Sequence, residues 1–327
     1  MIPQTYGAAL ALMILSMLAW GSWANTMKLV PKWPFQLLYW DYSIGVLLLT
    51  VVAALTFGSA VDGEASFAAD LAAAGPTQFA WAIAGGVVFN VANLLLVAAI
   101  SIAGLAVAFP VGIGLALIVG VIWNFALAPT GNPVLLFGGV ALVALAIVVD
   151  AMAFRARESA GAGKTRGIGL SIFCGLLMGS FFPLVTRATS GPQGLGPYAV
   201  AVVFAIGVLL CTIPANTLLM KRPITDDPPT TFAQYFAGGT REHLSGVLGG
   251  AIWGVGALCS FVAAQAALVG PATSYAMGQG ATMIAAAWGV FIWREFSGAP
   301  AKARRLLLPM FVLFLAGLGT IAVAPLY

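Results

Sequence analysis

Long apolar stretches, separated by short polar or Gly/Pro-rich breaks, run through the whole chain and constrain its fold more than any other feature. Charged residues make up only 7% of the 327 residues. The stretches repeatedly exceed the roughly 20 residues that a helix needs to cross a hydrocarbon core. We therefore predict an all-α membrane protein with ten transmembrane helices. The predicted spans are 6–27, 36–58, 79–101, 104–127, 134–154, 167–187, 197–219, 244–268, 271–293 and 305–324.

The connections between these spans are too short to hold a soluble catalytic or ATP-hydrolysing domain. Even the longest, near 219–244, is shorter than any such module. The net charge of +4 therefore indicates an orientation in the lipid bilayer rather than a nucleic-acid partner. We expect the protein to act inside the membrane.

Basic residues mark the orientation of the chain. Of the 14 Lys and Arg residues, 13 fall in odd-numbered connections, and only Arg187 falls on the opposite side. The second connection carries Asp62, Glu64 and Asp70 and no base. The positive-inside rule then predicts a cytoplasmic loop at 155–166 and both termini outside the cytoplasm, in a bacterial inner membrane. The first span lacks the features of a cleaved signal peptide and is expected to remain in the mature protein.

Internal similarity divides the chain into two five-helix repeats, at 1–154 and 167–327, joined by a linker loop at 155–166. The sequence IGVLL occurs at 44–48 and again at 206–210. Because five is odd, the second repeat would enter the membrane from the opposite side, which gives an inverted repeat able to rock about a central site. Four further pairs of segments match in the same order: 20–23 with 178–181, 85–86 with 249–250, 104–114 with 270–280, and 120–125 with 289–296.

Motifs in the first four helices resemble a known family. They are a Gly-Ser-Trp at 21–23, WDYSIGVLLLTVVAALTFG at 40–58 and FAWAIAGGVVFNVANLLLVAAISIAGLAVA at 79–108. The chain is similar to the ureide permease-like and sugar-porter (glucose/ribose and rhamnose) branch of the drug/metabolite transporter superfamily. The resemblance implies the fold of that superfamily, with two inverted five-helix repeats, and proton-coupled uptake of small polar, often heterocyclic, solutes.

Uncharged polar and aromatic side chains within the spans are the candidates for a substrate site. A carboxamide offers both an acceptor and a donor and so complements a urea, an imide or a sugar diol, while flat rings stack on planar heterocycles or sugars. Each amide has an alternative role as an interhelical hydrogen bond. The candidate substrate-binding residues are Trp20, Trp23, Asn90, Asn93, Phe181, Trp253, Gln265, Tyr275 and Gln279.

Asp41, at the head of the second span, is the candidate for proton coupling. An unpaired carboxylate within a spanning helix costs several kcal/mol, so it tends to face a cavity, find a cation or carry a proton. We expect Lys28, at the end of the first span, to be the cation within reach of it. The alternative is an interfacial anchor, because Tyr39, Trp40 and Tyr42 resemble an aromatic belt. Asp150, Glu158 and Glu295, with basic neighbours, are expected to be boundary residues.

No cofactor or metal site is predicted. The segment ESAGAGKTRG at 158–167 resembles a phosphate-binding loop. Glu158 stands where that motif requires its first glycine, so we do not expect nucleotide binding there. His243 is the single histidine and is expected to be solvated at a membrane boundary, and three isolated cysteines favour packing roles.

The expected function is import of a small neutral polar metabolite, a ureide or nucleobase-like heterocycle, with protons. The alternatives are a sugar/proton symporter, a multidrug or metabolite exporter, and a membrane receptor or scaffold that transports nothing. The expected partners are the small-molecule substrate, protons and lipid, with the protein a monomer or a homodimer.

Overall fold

A computed structural model describes residues 2–59, 66–103, 105–157, 165–224 and 228–327. Within these ranges the protein is helical and contains no β-strand. Asp62, Glu64 and the larger part of the predicted linker loop, 158–164, lie outside the described residues. The α-helices are α1 Tyr6–Ser22, α2 Phe35–Thr56, α3 Phe67–Ala73, α4 Pro76–Ala103, α5 Leu105–Leu127, α6 Pro133–Arg157, α7 Thr165–Ala188, α8 Pro197–Lys221, α9 Phe232–Phe236, α10 Thr240–Ala264, α11 Gly270–Gly278, α12 Ala281–Ala287 and α13 Ala301–Val323.

Nine helices in the described part of the chain are long and apolar enough to cross a membrane: α1, α2, α4, α5, α6, α7, α8, α10 and α13. The predicted ninth span, 271–293, is not one continuous helix. It consists of α11, α12 and a π-helical turn at Trp288–Ile292. Glycines on both sides of Gln279 account for the interruption, because glycine weakens a helix interior.

Proline and polar caps set where several helices begin. Pro76, Pro133 and Pro197 each occupy the first position of a helix, where the missing backbone N–H would have no intrahelical partner. The short helix α9 begins with a capping box, in which the Thr231 hydroxyl accepts from the Gln234 backbone N–H and the Gln234 side chain accepts from the Thr231 N–H. This box fixes α9 just before α10, at the boundary where Asp41 lies.

Glycines let the helices approach closely. A Cβ atom at Gly250 of α10 would lie 1.9 Å from the carbonyl oxygen of Tyr42 in α2, and one at Gly86 of α4 would lie 2.1 Å from the carbonyl oxygen of Phe204 in α8. No side chain larger than hydrogen fits at these distances. In lipid, such backbone contacts take the place of a hydrophobic driving force between helices.

The spanning helices pack in pairs that join the two halves of the chain. The helices α2 and α10, α4 and α7, α4 and α8, α5 and α7, and α6 and α13 form the extensive contacts. Segments from both halves of the chain therefore surround one central space, and the functional site is built there.

Candidate functional site

A cavity of about 410 Å³ lies between the two halves of the chain. It is lined by α1 and the 3₁₀ turn that follows it, by α4, α5, α6 and α7, and by α10 and α12 with the turn that precedes it. One end of the cavity reaches the half-exposed side chains of Lys28 and Glu295. The cavity is thus a pocket within the helical bundle with its mouth at one end.

Stacked aromatic rings form the inner wall. The ring of Trp253 is stacked on Phe89 at 4.2 Å between centroids and on Trp20 at 5.9 Å. Phe181 presents its edge to Trp20 and Phe89. Trp23 also lines the cavity, with its ring 4.9 Å from that of the buried Tyr42. The wall therefore offers flat apolar faces of the kind on which a planar ring can stack.

Glycines make the slot that holds Trp20. A Cβ at Gly256 of α10 would lie 2.4 Å from the indole ring, and one at Gly278 of α11 would lie 2.5 Å from it. Substitution at either position would push Trp20 out of its place in the wall. The break in the predicted ninth span at Gly278 is therefore part of how the aromatic wall is built.

Two of the predicted amides, Asn93 and Gln279, line the cavity. Asn93 of α4 donates to the hydroxyl oxygen of Tyr39 at 3.1 Å, and its own carbonyl oxygen accepts no hydrogen bond from the described residues. Gln279 lies at the break between α11 and α12, is 8% exposed, and makes no side-chain hydrogen bond within the described part of the chain. Both amides retain hydrogen-bonding capacity for a ligand.

Three predicted substrate residues do not line this cavity. Asn90 is fully buried and accepts from Tyr39 at 2.9 Å and from Thr212 at 3.2 Å, so it links helices α2, α4 and α8. Tyr275 is fully buried with its hydroxyl 3.1 Å from the carbonyl oxygen of Ala116. Gln265 lines a separate hollow of about 210 Å³ with the first residues of the chain. The contacts of Asn90 match the alternative role of an amide, an interhelical hydrogen bond.

Lys28, Arg157 and Glu295 form an ion-pair cluster at the mouth of the cavity. Glu295 accepts from Lys28 at 2.6 Å and from Arg157 at 3.0 Å. Arg294, with a φ of 52°, turns the chain after the π-helical turn, and the Glu295 N–H then bonds the Gly289 carbonyl at 2.9 Å. The cluster joins the 3₁₀ turn after α1, the end of α6 and the segment before α13.

Glu295→Gln is expected to lower the free energy of unfolding by about 1 kcal/mol at neutral pH, since two cations lose their shared partner. Partial burial opposes ionisation of Glu295, but the hydrogen bonds and charges of Lys28 and Arg157 outweigh it and lower the pKa of this carboxyl. A lowered pKa stabilises the fold above the ordinary carboxyl pKa, and that contribution is lost as pH falls through the lowered value.

Thermal melting of wild type and Glu295→Gln in detergent, at neutral and at acidic pH, measures this effect. The difference should shrink as the pH approaches the lowered pKa of Glu295. Glu242→Gln is the matched control, because Glu242 makes no ion pair with the described residues and lies at the beginning of α10. An equal loss in both variants would contradict a specific role of the cluster.

The expected pairing of Asp41 with Lys28 is wrong, because Glu295 holds Lys28. Asp41 instead accepts from the Tyr235 hydroxyl at 2.7 Å and pairs with His243 Nδ1 at 2.8 Å. The Asp41 residue is 4% exposed. Its Cβ faces Gly246 of α10 so closely that a Cβ there would lie 2.5 Å away.

His243, expected to be solvated, is 29% exposed at its side chain and is also packed against aromatic rings. Its ring packs edge-on against Tyr235 at 4.8 Å between centroids, and against Trp33 at 6.1 Å. Burial and the neighbouring Asp41 carboxylate raise the pKa of the Tyr235 hydroxyl, which therefore stays a donor. The cluster of Asp41, Tyr235 and His243 ties α2 to α9 and α10 and does not line the central cavity.

Sequence reasoning missed several residues of the cavity wall, among them Phe89 and Asp150. Phe89 precedes Asn93 by one helical turn, so the 3.6-residue period places both on one face of α4, and this spacing was the available signal. Asp150 was expected to be a boundary residue, but α6 continues to Arg157 and Asp150 is 6% exposed in the cavity wall. The third expected boundary acid, Glu158, lies outside the described residues.

Metal-ligating side chains do not converge in the part of the chain that the structure describes. No group of three His, Cys, Asp or Glu residues with the spacing of a metal site is found there. Cys174, Cys211 and Cys259 are free thiols on different helices. No side chains with the geometry of a metal site are thus found among these residues.

Comparisons with known proteins agree along almost the whole chain. A family model described as ureide permease matches residues 38–164 and 148–324. Ureide permease 2 of Arabidopsis thaliana is 24% identical, with 98% of each chain covered, and ureide permease 1 of the same plant is 24% identical, with 97% of each covered. A solved crystal structure aligns with a TM-score of 0.62 at 17% identity over 97% of this chain and 96% of its own, which shows a shared fold.

Proposed function

Because the chain belongs to the ureide permease family, we propose that it carries a ureide or a related nucleobase-like heterocycle across the membrane. The protein is a multi-pass membrane transporter rather than an enzyme in this proposal. The central cavity is the observation that carries it, since stacked rings and side-chain amides line one pocket inside the bundle.

The chemistry of the cavity supports a planar, nitrogen-rich solute. Urea and imide groups present N–H donors beside carbonyl acceptors, and the carboxamides of Asn93 and Gln279 offer the complementary pair. Trp20, Trp23, Phe181 and Trp253 provide the flat faces. Ligand sites with these features are mostly apolar with a few polar groups that fix orientation.

Alternating access by two inverted five-helix repeats is the proposed mechanism. Corresponding glycines of the two halves make corresponding contacts, which supports it. Gly86 contacts the carbonyl of Phe204, and Gly250 contacts the carbonyl of Tyr42. In the repeat alignment Gly250 corresponds to Gly86, and Phe204 corresponds to Tyr42. The fifth helices of the halves, α6 and α13, also pack together.

We propose that both termini are extracytoplasmic and that the ion-pair cluster lies on the cytoplasmic side. The excess of Lys and Arg in odd-numbered connections is the ground for this orientation. With that topology, the mouth of the cavity at Lys28 and Glu295 opens inward. In intact cells, a single cysteine introduced at position 66 should react with an impermeant reagent, and one introduced at position 156 should not. The reverse result would show an inverted topology.

Proton coupling through Asp41 is a further part of the proposal. The carboxylate joins α2 to His243 of α10 and to Tyr235 of α9, and so loss or gain of its charge would bias the packing of these elements. If Asp41 is instead an interfacial anchor, its replacement should have no effect on uptake driven by a pH gradient. Import with protons would then depend on another group.

Purified protein in proteoliposomes tests the function. We expect allantoin, and more weakly uracil or xanthine, to raise the melting temperature in detergent and to be taken up along an imposed pH gradient. Glucose, ribose and rhamnose are the comparison solutes. Stabilisation and uptake by the sugars alone would establish the sugar symporter, and stabilisation by lipophilic cations alone would establish an exporter.

A further inference from the structure

Asp150 is a carboxylic acid in the wall of the central cavity. It lies on α6, lines the central pocket and is 6% exposed. Its Oδ1 atom is buried and has no hydrogen-bond partner among the residues that the structure describes. Asp150 also makes no ion pair with any described residue.

Glu295 holds both the lysine of the cavity lining and an arginine of α6. Lys28 lines the same cavity but is held by Glu295 at 2.6 Å. Arg157, seven residues further along α6 and thus roughly 10 Å towards the mouth, also donates to Glu295. Two cations therefore pair with Glu295, whereas the carboxyl of Asp150 has no such partner among the described residues.

The helices packed against α6 bring no counter-charge to this depth. Helix α5 contains no titratable side chain. The cations of helix α13, Lys302, Arg304 and Arg305, lie only in its first turns, where they are exposed. The turn at Ala324–Leu326 carries no cation. An ionised, unpaired carboxylate at such a site costs several kcal/mol.

From this geometry we infer that Asp150 is a proton-binding site in the cavity wall, and that the carrier can close around its solute only when this carboxyl is protonated. The inference deepens the proposed function and rests on it for the transport step. Closing the mouth over an ionised Asp150 would bury a charge with no partner. Closing it over the neutral acid buries none, so a proton must travel with each solute.

The step is a simple proton transfer. A hydronium ion or buffer acid in the open cavity gives its proton to one oxygen of Asp150, which forms the O–H bond and leaves water or the conjugate base. When the cavity opens to the other side, the same O–H bond breaks and the proton leaves to water there. Asp41 differs because its two carboxylate oxygens have Tyr235 and His243 as hydrogen-bond partners.

Infrared difference spectroscopy between neutral and alkaline pH tests the site without any substrate. We expect a carbonyl stretch from a protonated carboxyl group in the wild type and in Asp41→Asn, and its loss in Asp150→Asn. Persistence of the full band in Asp150→Asn would overturn the inference. Because the measurement needs no solute, it decides the question even if the proposed substrates are not transported.

Uptake provides the second measurement. In proteoliposomes, Asp150→Asn should lose at least about tenfold of the uptake driven by a pH gradient while solute exchange at equal pH continues, and Asp150→Glu should restore part of the drive. Undiminished pH-driven uptake in Asp150→Asn would overturn the inference. If the wild type transports none of the solutes, the proposed function fails, and the infrared result still stands on its own.

Discussion

Replacement of Asp41 by asparagine is expected to abolish uptake driven by a pH gradient while preserving substrate binding and exchange. The Asp41 carboxylate accepts from Tyr235 at 2.7 Å and pairs with His243 at 2.8 Å, between α2 and the α9–α10 segment. Asparagine has nearly the same shape and can still accept from Tyr235. It cannot carry the negative charge that pairs with His243, so the packing of α2 on α10 would no longer depend on the charge of residue 41.

Two further variants separate this role from simple anchoring. Tyr235→Phe removes one hydrogen bond but keeps the pair of Asp41 with His243, so pH-driven uptake should fall by no more than a few fold. His243→Asn removes the imidazole that pairs with Asp41 and should resemble Asp41→Asn. Uptake rates under an imposed pH gradient and solute exchange at equal pH are the two measurements. Normal pH-driven uptake in Asp41→Asn would leave this residue as an interfacial anchor.

The helical architecture is readable from the sequence because membrane-spanning helices need only length and apolarity. Nine of the predicted spans correspond to continuous helices within the described ranges. The ninth span in order, 271–293, meets the same requirement of length, but Gly278 and Gly280 divide it. Hydropathy averages over a window of residues and does not register a local break in the backbone.

Four of the five aromatic residues predicted for the site line the cavity, whereas Tyr275 is buried outside it. Trp20, Trp23, Phe181 and Trp253 all line the cavity. The amides divide more finely. Asn90 and Asn93 both contact Tyr39, as their spacing of three suggests, yet only Asn93 also reaches the cavity.

Charged partners were the least predictable feature. Proximity in sequence favoured Lys28 for Asp41, but Glu295, 267 residues away from Lys28, holds that lysine. The partner of Asp41, His243, is 202 residues distant. Such pairings depend on which helix ends meet at one boundary of the bundle. A single sequence shows which residues are charged and how deep they lie within a span. It does not show which helix packs beside them.

Replacement of Gln279 by methionine is expected to weaken binding of a ureide by about 10- to 100-fold. Its side chain lines the cavity at the break between α11 and α12 and makes no hydrogen bond within the described part of the chain. Methionine preserves length and volume but cannot pair with a urea or imide. The ligand would leave one or two polar groups without partners, which costs about 1–3 kcal/mol.

Gln265→Met is the matched control for this substitution. Gln265 is also an amide within a predicted span, but it lies at the end of α10, 3.5 Å from the carbonyl of Leu195, and lines a different hollow. Titration calorimetry with allantoin should therefore show weak binding for Gln279→Met and near wild-type binding for Gln265→Met, with both variants melting as folded proteins. Equal affinities in the two variants would remove Gln279 from the substrate site. The carboxamide of Asn93 would then be the only predicted amide left to recognise the solute in the cavity.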